Sequence, residues 1–255
     1  MKKPIIKFLS KSIVLVILFF IILNEYLKRK EKQFILENII NASYKSACEC
    51  KNSITVNTKK LDDCIQVSVF DNKTQKVSSA YTIEYNDIKN SIHTCSLFNN
   101  LRRGRNQKVI GYSLYGKNKF YYAKLKNITR QAKLMYPDWV IRVYYDDSID
   151  ASIICEVECQ KDNLGNFLLD NSDFCNINDL SLKLYDQNRN KLNAVYIHAM
   201  MWRWFPIGDS FVDIFSSRDT DSNIIQREKD SVSAWLDSDK VGHIMRGILS
   251  HFSFN

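Results

Sequence analysis

Two aspartates one residue apart, Asp219 and Asp221 in the run SSRDTDS, are the side chains of this chain best placed to do chemistry. In an extended segment, residues two apart point to the same side. The two carboxylates can then converge on one hard divalent cation. Mg²⁺ or Mn²⁺ held by one or two carboxylates keeps open positions for phosphate oxygens. A metal so placed neutralises a diphosphate leaving group as its bond to carbon breaks, and the same pair would also serve a metal-dependent phosphohydrolase. A D-x-D alone says little, because an Asp-rich turn ahead of a helix produces it as well. Its context says more. The pair follows FVDIFSS, an apolar strand pattern, and in open α/β sheets ligands bind beyond the carboxyl ends of the strands.

The elements around that strand read as α/β. KVIGYSLYG is a strand entering a glycine turn. Asn118 to Tyr136 sets Tyr121, Leu125, Ile128, Ala132 and Met135 at helical spacing, and Pro137 closes the helix. VIRVYY is a second strand, ending on Asp146 and Asp147, whose bland reading is a strand-end turn. This β-α-β order predicts a parallel sheet with a right-handed crossover. Residues 151–190 read as a cysteine-bearing excursion of loops and short pieces. Asn193 to Phe205 is expected to be helical, with Ile197, Met200, Met201, Trp204 and Phe205 facing the core until Pro206 stops it. Trp202 lies off that face and is the candidate sugar platform. FVDIFSS is expected to be a buried strand. A last helix, about Gln226 to Asp237, packs Val232, Trp235 and Leu236, with Glu228 as a solvated first-turn acid. Upstream, ITVNT, IQVSVF and SAYTIEY alternate between turn residues and predict a small β-rich region stapled by some of the first four cysteines. Arg102, Arg103 and Arg105 read as a solvated basic loop.

Composition narrows the function classes. The chain has 255 residues, 45% apolar and 25% charged, which describes a globular protein. With 7 Gly, it contains no G-x-G-x-x-G, P-loop, G-x-S-x-G or H-E-x-x-H motif. Of the net charge of +8, residues 1–32 carry +6, with eight Lys/Arg against two acids. The remainder lacks the basic face that displaces counter-ions from nucleic acid, so no nucleic-acid partner is expected.

The uncharged run Ser12–Asn24, SIVLVILFFIILN, follows four lysines and has no small-residue cleavage step after it. It reads as an uncleaved signal anchor whose flanking lysines snorkel to the interfaces. All seven cysteines (Cys48, Cys50, Cys64, Cys95, Cys155, Cys159, Cys175) and the sequons at Asn41, Asn72 and Asn127 lie beyond it. Disulfides and N-glycans belong to an oxidising lumen. The odd cysteine count leaves one thiol free or joined to a second chain in a disulfide-linked dimer. The expected layout is a cytosolic tail (1–11), transmembrane helix (12–27), stem (28–50), β-rich region (51–107) and α/β domain (108–255).

The stretch MMWRWFPIGDSFVDIFSSRDTDS resembles the nucleotide-sugar glycosyltransferases of GT-A fold, where a helix bearing an Arg and a Pro leads into a hydrophobic strand ending in D-x-D. DSNIIQREKDSVSAWLDSDKVGHIMR is similar to a family of animal glycosyltransferase-like type II membrane proteins with an SRD-x-DS signature. The resemblance covers roughly residues 95–246, with its specific core at 200–246. It implies a Rossmann-like donor-binding half, a UDP- or GDP-sugar donor, Mn²⁺ or Mg²⁺, a glycan or glycoprotein acceptor, and a Golgi or ER membrane. It implies that Asp219 faces the donor ribose or the metal and that Asp221 ligates the metal. Arg203 would hold the donor or its phosphates, with Arg218 assisting. Members of that family continue after HIMR with an acidic, His-rich segment, whereas here the text reads HIMRGILSHFSFN. The α/β domain is therefore expected to be C-terminally incomplete, with His243 or His251 as substitutes for a third ligand. Two functions follow as expectations: a metal-dependent hexosyl transfer, or a catalytically inactive tethered binding protein that keeps the donor half.

Overall fold

A computed structural model describes residues 21–26, 43–45, 48, 54–159, 171–180, 184–185, 191–192 and 196–245. Most of the expected anchor and stem, together with Asn41 and Cys50, lies outside these residues. Residues 21–26 are helical. Among the described residues no helix is long and apolar enough to cross a membrane.

The chain divides into two compact units, residues 1–45 with 53–91, and residues 46–52 with 92–255. The expected boundary after Gln107 is thus corrected to the step between Ser91 and Ile92. The cause is a set of long-range ties that commit residues 94–103 to the second unit. Cys95 is disulfide-bonded to Cys175, Thr94 bonds Asp209, and Arg102 and Arg103 bond Asp173.

The first unit is an antiparallel sheet of β1 (Ser43–Lys45), β2 (Ile54–Leu61), β3 (Cys64–Asp71) and β4 (Lys76–Glu84), in that order, followed by the short helix α1 (Tyr85–Asn90). Alternation in β3 sends Ile65, Val67 and Val69 inward, which fixes the register against both neighbours. Strand β1 corrects the expectation that its residues belong to a stem. The expected staple is not found among the described residues either. The cysteine of this sheet, Cys64, is free, and the two described disulfides, Cys48–Cys155 and Cys95–Cys175, both lie in the second unit. Cys159 is also disulfide-bonded.

The second unit is α/β around a parallel four-stranded sheet. In chain order come α2 (Leu97–Arg103), β5 (Gln107–Leu114), α3 (Lys119–Met135), β6 (Val140–Tyr145), α4 (Ala151–Glu158) and β7 (Ser172–Asn176). A small hairpin pairs β8 (Leu184–Tyr185) with β9 (Lys191–Leu192). A 3₁₀ helix (Ala199–Gly208), β10 (Val212–Ser217) and α5 (Gln226–Leu236) follow. The sheet order is β10-β5-β6-β7, and every pairing is parallel. Asn118 caps α3 by accepting from the Phe120 N–H at 3.0 Å, and Pro137 follows its end.

Side-chain alternation gives the sheet two different faces. Ile110, Tyr112, Leu114, Ile141 and Val143 pack against Leu125, Ile128 and Ala132 of α3 and Ile154 and Val157 of α4. Burying each large side chain of this kind contributes roughly 1.5–3 kcal/mol. On the opposite face Tyr144 and Cys175 pack with Trp202 and Phe205 of the 3₁₀ helix. Arg142 is fully buried beside them. It donates to Asp209 at 2.7 Å, Asn100 at 2.6 Å and Gln107 at 2.7 Å. Burial by itself would raise the Asp209 carboxyl. The Arg142 guanidinium and the N–H groups of Phe211 and Thr94 overcome it and hold the group below the ordinary carboxylate value.

Four expectations are corrected here. SDFCN, placed within loops, is strand β7. Arg102 and Arg103 are not solvated: both bond Asp173, at 2.8 and 3.0 Å. Of FVDIFSS, Val212–Ser217 forms the half-buried strand β10, at the end of the sheet among the described residues, rather than a buried strand. The segment before it is 3₁₀, with three residues per turn. Trp202 and Phe205, three apart, therefore face inward, while Met201, Trp204 and Ile207, also three apart, are exposed.

Candidate functional site

Strand β5 is the pivot of the second sheet. Its next neighbour in sequence, β6, lies on one side, and β10, arriving about a hundred residues later, lies on the other. The order of strands reverses between them, and such a switch point opens a crevice at the carboxyl ends of the two strands. A cleft of about 310 Å³ is found there, small for a ligand pocket. Ser113, Leu114 and Tyr115 come from the end of β5, and Tyr121 from α3. Met200 and Arg203 come from the 3₁₀ helix, and Arg218 to Asp221 from the turn after β10. The four residues named from the sequence, Arg203, Arg218, Asp219 and Asp221, thus share one cleft.

Their local geometry differs from expectation. The D-T-D is not extended: the Ser222 N–H reaches the Asp219 carbonyl at 3.4 Å and closes a turn. Asp219 and Asp221 are exposed on it while Thr220 is buried. The turn is anchored from below. The Arg218 N–H donates to the Gly111 carbonyl at 3.0 Å, continuing the β10–β5 ladder past the last strand residue. The Arg218 guanidinium is ion-paired to Glu228 of α5, and it donates to the carbonyls of Asn223 at 3.0 Å and Ser222 at 3.3 Å. Glu228 is accordingly buried, not the solvated first-turn acid expected. Arg218 braces the aspartate turn from within.

Arg203 is set by its backbone. Its N–H donates to Ser113 Oγ at 2.9 Å, and its carbonyl lies against Gly111 so closely that a Cβ there would stand 2.3 Å from it. From this seat the guanidinium reaches Asp219 in an ion pair. The Nε atoms of both Arg203 and Arg218 are buried without a hydrogen-bond partner. Among the described residues Asp221 has no cationic partner and only a 3.4 Å contact with Ser222 Oγ. Tyr112 and Tyr136 adjoin the Arg218–Glu228 pair. Burial, with Glu228 adding to it, pushes the Tyr136 phenol up to about 12, and burial pushes Tyr112 higher still. Both are neutral near pH 7 and serve as no base.

The donor set fits a hard cation with open positions. Two exposed carboxylates offer oxygen only, which suits Mg²⁺ or Mn²⁺ carrying waters and ligand oxygens. Among the described residues no group of three or more His, Cys, Asp or Glu side chains is placed to hold a metal.

Other residues named from the sequence lie elsewhere. Trp202, the candidate sugar platform, is buried and meets Tyr115 edge-on at 6.1 Å. Asp146 closes a turn by accepting from the Ser148 N–H, and Asp147 accepts from Asn176 at the end of β7 at 2.8 Å. Asn72 is exposed at the β3–β4 turn. Asn127 is exposed on α3, but the hydroxyl of its sequon partner Thr129 is buried against the Leu125 and Lys126 carbonyls. His243 is exposed and His251 lies outside the described residues. Gly111 and Ser113 carry the site without being named from the sequence, and Glu228 carries it in a role the sequence does not suggest. A glycine inside a strand does signal close backbone approach, so Gly111 was detectable.

Comparison with known proteins returns no match: no family model, no curated protein and no solved structure is similar to this chain.

Proposed function

We propose that the switch-point cleft binds the diphosphate of a nucleotide sugar with a divalent cation, and that the protein is a glycosyltransferase-like enzyme of Rossmann-like GT-A type. The supporting observation is the gathering of two exposed aspartates and Arg203 at the mouth of a parallel sheet's switch point. Asp219 and Asp221 would hold Mn²⁺ or Mg²⁺, which supplies charge neutralisation at the leaving diphosphate. Arg203 contributes a second positive group for a phosphate oxygen. Arg218, spent on Glu228, fixes the turn that presents both carboxylates.

Calorimetry on the full chain in mild detergent, with UDP- and GDP-sugars and Mn²⁺, tests this. Heat is expected with at least one donor and should vanish in Asp221→Ala. Absence of heat with every donor, or heat indifferent to that change, overturns the reading. A binding protein without turnover is the second reading. It is favoured by a cleft lining that, among the described residues, has no carboxylate or histidine beyond the two aspartates to take an acceptor proton. Transfer of radiolabelled sugar to any acceptor decides against it.

For location, the reading is a type II anchor at Ser12–Asn24 and a luminal body in the Golgi or ER. The disulfides support an oxidising compartment. N-glycosidase treatment that leaves the cell-made protein's mobility unchanged would count against it.

A further inference from the structure

We infer that Arg203 is a resident counter-ion on Asp219 which an incoming cation must displace, so that cation and phosphate-bearing ligand each open the cleft for the other. The inference rests on the reading of the cleft given above and concerns how it is loaded. The charges lining the cleft are already matched. Arg218 is neutralised by Glu228 and Arg203 by Asp219, which leaves the single negative charge of Asp221. A diphosphate approaching this lining, whose two arginines and two aspartates balance, meets Glu228 behind Arg218 as a surplus negative charge and finds no uncommitted guanidinium. A lone cation finds one of its two carboxylates occupied.

The contact itself is suited to exchange. It is a single one, Arg203 Nη1 to Asp219 Oδ1, and the Asp219 side chain is 57% exposed. The Arg203 backbone is pinned by Ser113 and by the close approach of Gly111, so only the side chain has to turn. Its buried Nε has no partner in the paired state and is a donor in reserve. A cation that takes Asp219 releases Arg203 towards a phosphate, and a phosphate that takes Arg203 releases Asp219 towards a cation. Linkage makes the two enhancements equal.

Two separate binding measurements on the full chain test this without mixing the probes. Mn²⁺ alone is titrated against free-ion electron paramagnetic resonance, and labelled inorganic pyrophosphate is dialysed to equilibrium in EDTA. Arg203→Gln should bind Mn²⁺ about fivefold tighter than the wild type, the factor given by an ion pair this exposed. Asp219→Asn, at an exposed position, should bind metal-free pyrophosphate tighter by about the same factor. Adding Arg203→Gln to Asp219→Asn should abolish that gain. Equal Mn²⁺ affinity in wild type and Arg203→Gln, or a pyrophosphate gain that survives the double change, overturns the counter-ion while leaving the cleft reading intact. Binding of neither probe by any variant removes the cleft reading itself, and the counter-ion with it.

Discussion

Replacing Gly111 with alanine is the sharpest single perturbation of this architecture. The new Cβ would stand 2.3 Å from the Arg203 carbonyl oxygen and 3.3 Å from Pro206 Cγ. Non-bonded heavy atoms settle near 3.5 Å, so the 3₁₀ helix must retreat by about 1 Å. The obstacle is backbone, which no rotamer change relieves. Overpacking of this kind costs about 1–3 kcal/mol. For a unit of this size, about 2 kcal/mol lowers the melting temperature by about 4–8 °C. The retreat also lengthens the 2.9 Å bond from the Arg203 N–H to Ser113 and draws the guanidinium away from Asp219. Urea unfolding followed by tryptophan fluorescence reads the change, with Trp202 buried in the segment that moves. The midpoint should fall with an unchanged slope. Gly208→Ala, in the same helix with nothing within 4 Å of its added Cβ, is the control and should be neutral. Equal midpoints for the two variants would refute the claim that Gly111 seats Arg203.

Glu228→Gln should lower the stability read from urea unfolding by about 3 kcal/mol, because Arg218 is then left charged and largely buried; adding Arg218→Met should recover most of the loss, and an unchanged single variant would contradict the brace. Acid should destabilise the second unit in two stages. Burial chiefly depresses the His93 imidazole below its usual 6.5, with Asp209 opposing. The unfolded chain therefore takes up that proton first, and stability falls as pH drops below about 6.5. Asp209, held below 3.8, withdraws its contribution progressively as pH falls from about 3.8 down through its own lowered value. Thermal melts across about pH 2–8 on His93→Gln should lose the first stage and keep the second; an unaltered profile would refute the assignment.

The strands and helices that obey a single period were readable in the sequence. Ile65, Val67 and Val69 alternate, and Leu125, Ile128 and Ala132 lie on one helical stripe, so β3 and α3 fall where expected. The failures have particular causes. SDFCN hides a strand at the end of the sheet order because Ser172 and Asp173 are polar, and the buried Asp173 is paired with arginines about 70 residues upstream. The segment before β10 repeats at three residues per turn, not at the 3.6 of the expected α-helix, so Trp202 faces inward and Trp204 outward, the reverse of the expectation. For the site, residue types and spacing point to Asp219 and Asp221, whereas Arg203 and Arg218 are named by the resemblance alone. Which arginine is spent on Glu228 and which on Asp219 depends on the approach of α5 and the 3₁₀ helix, and no local pattern encodes that.

Strand β10 has a ladder on one flank only, to β5, among the described residues. The aspartates are therefore mounted on an outer rail of the sheet, with fewer backbone restraints than β5 or β6 among the described residues, while the arginine that steadies their turn is gripped by α5. Local opening begins where contacts are sparse. Fluctuations of that rail would carry both carboxylates together, leaving their mutual spacing to the short turn that joins them and their height above the sheet to the Arg218–Glu228 brace.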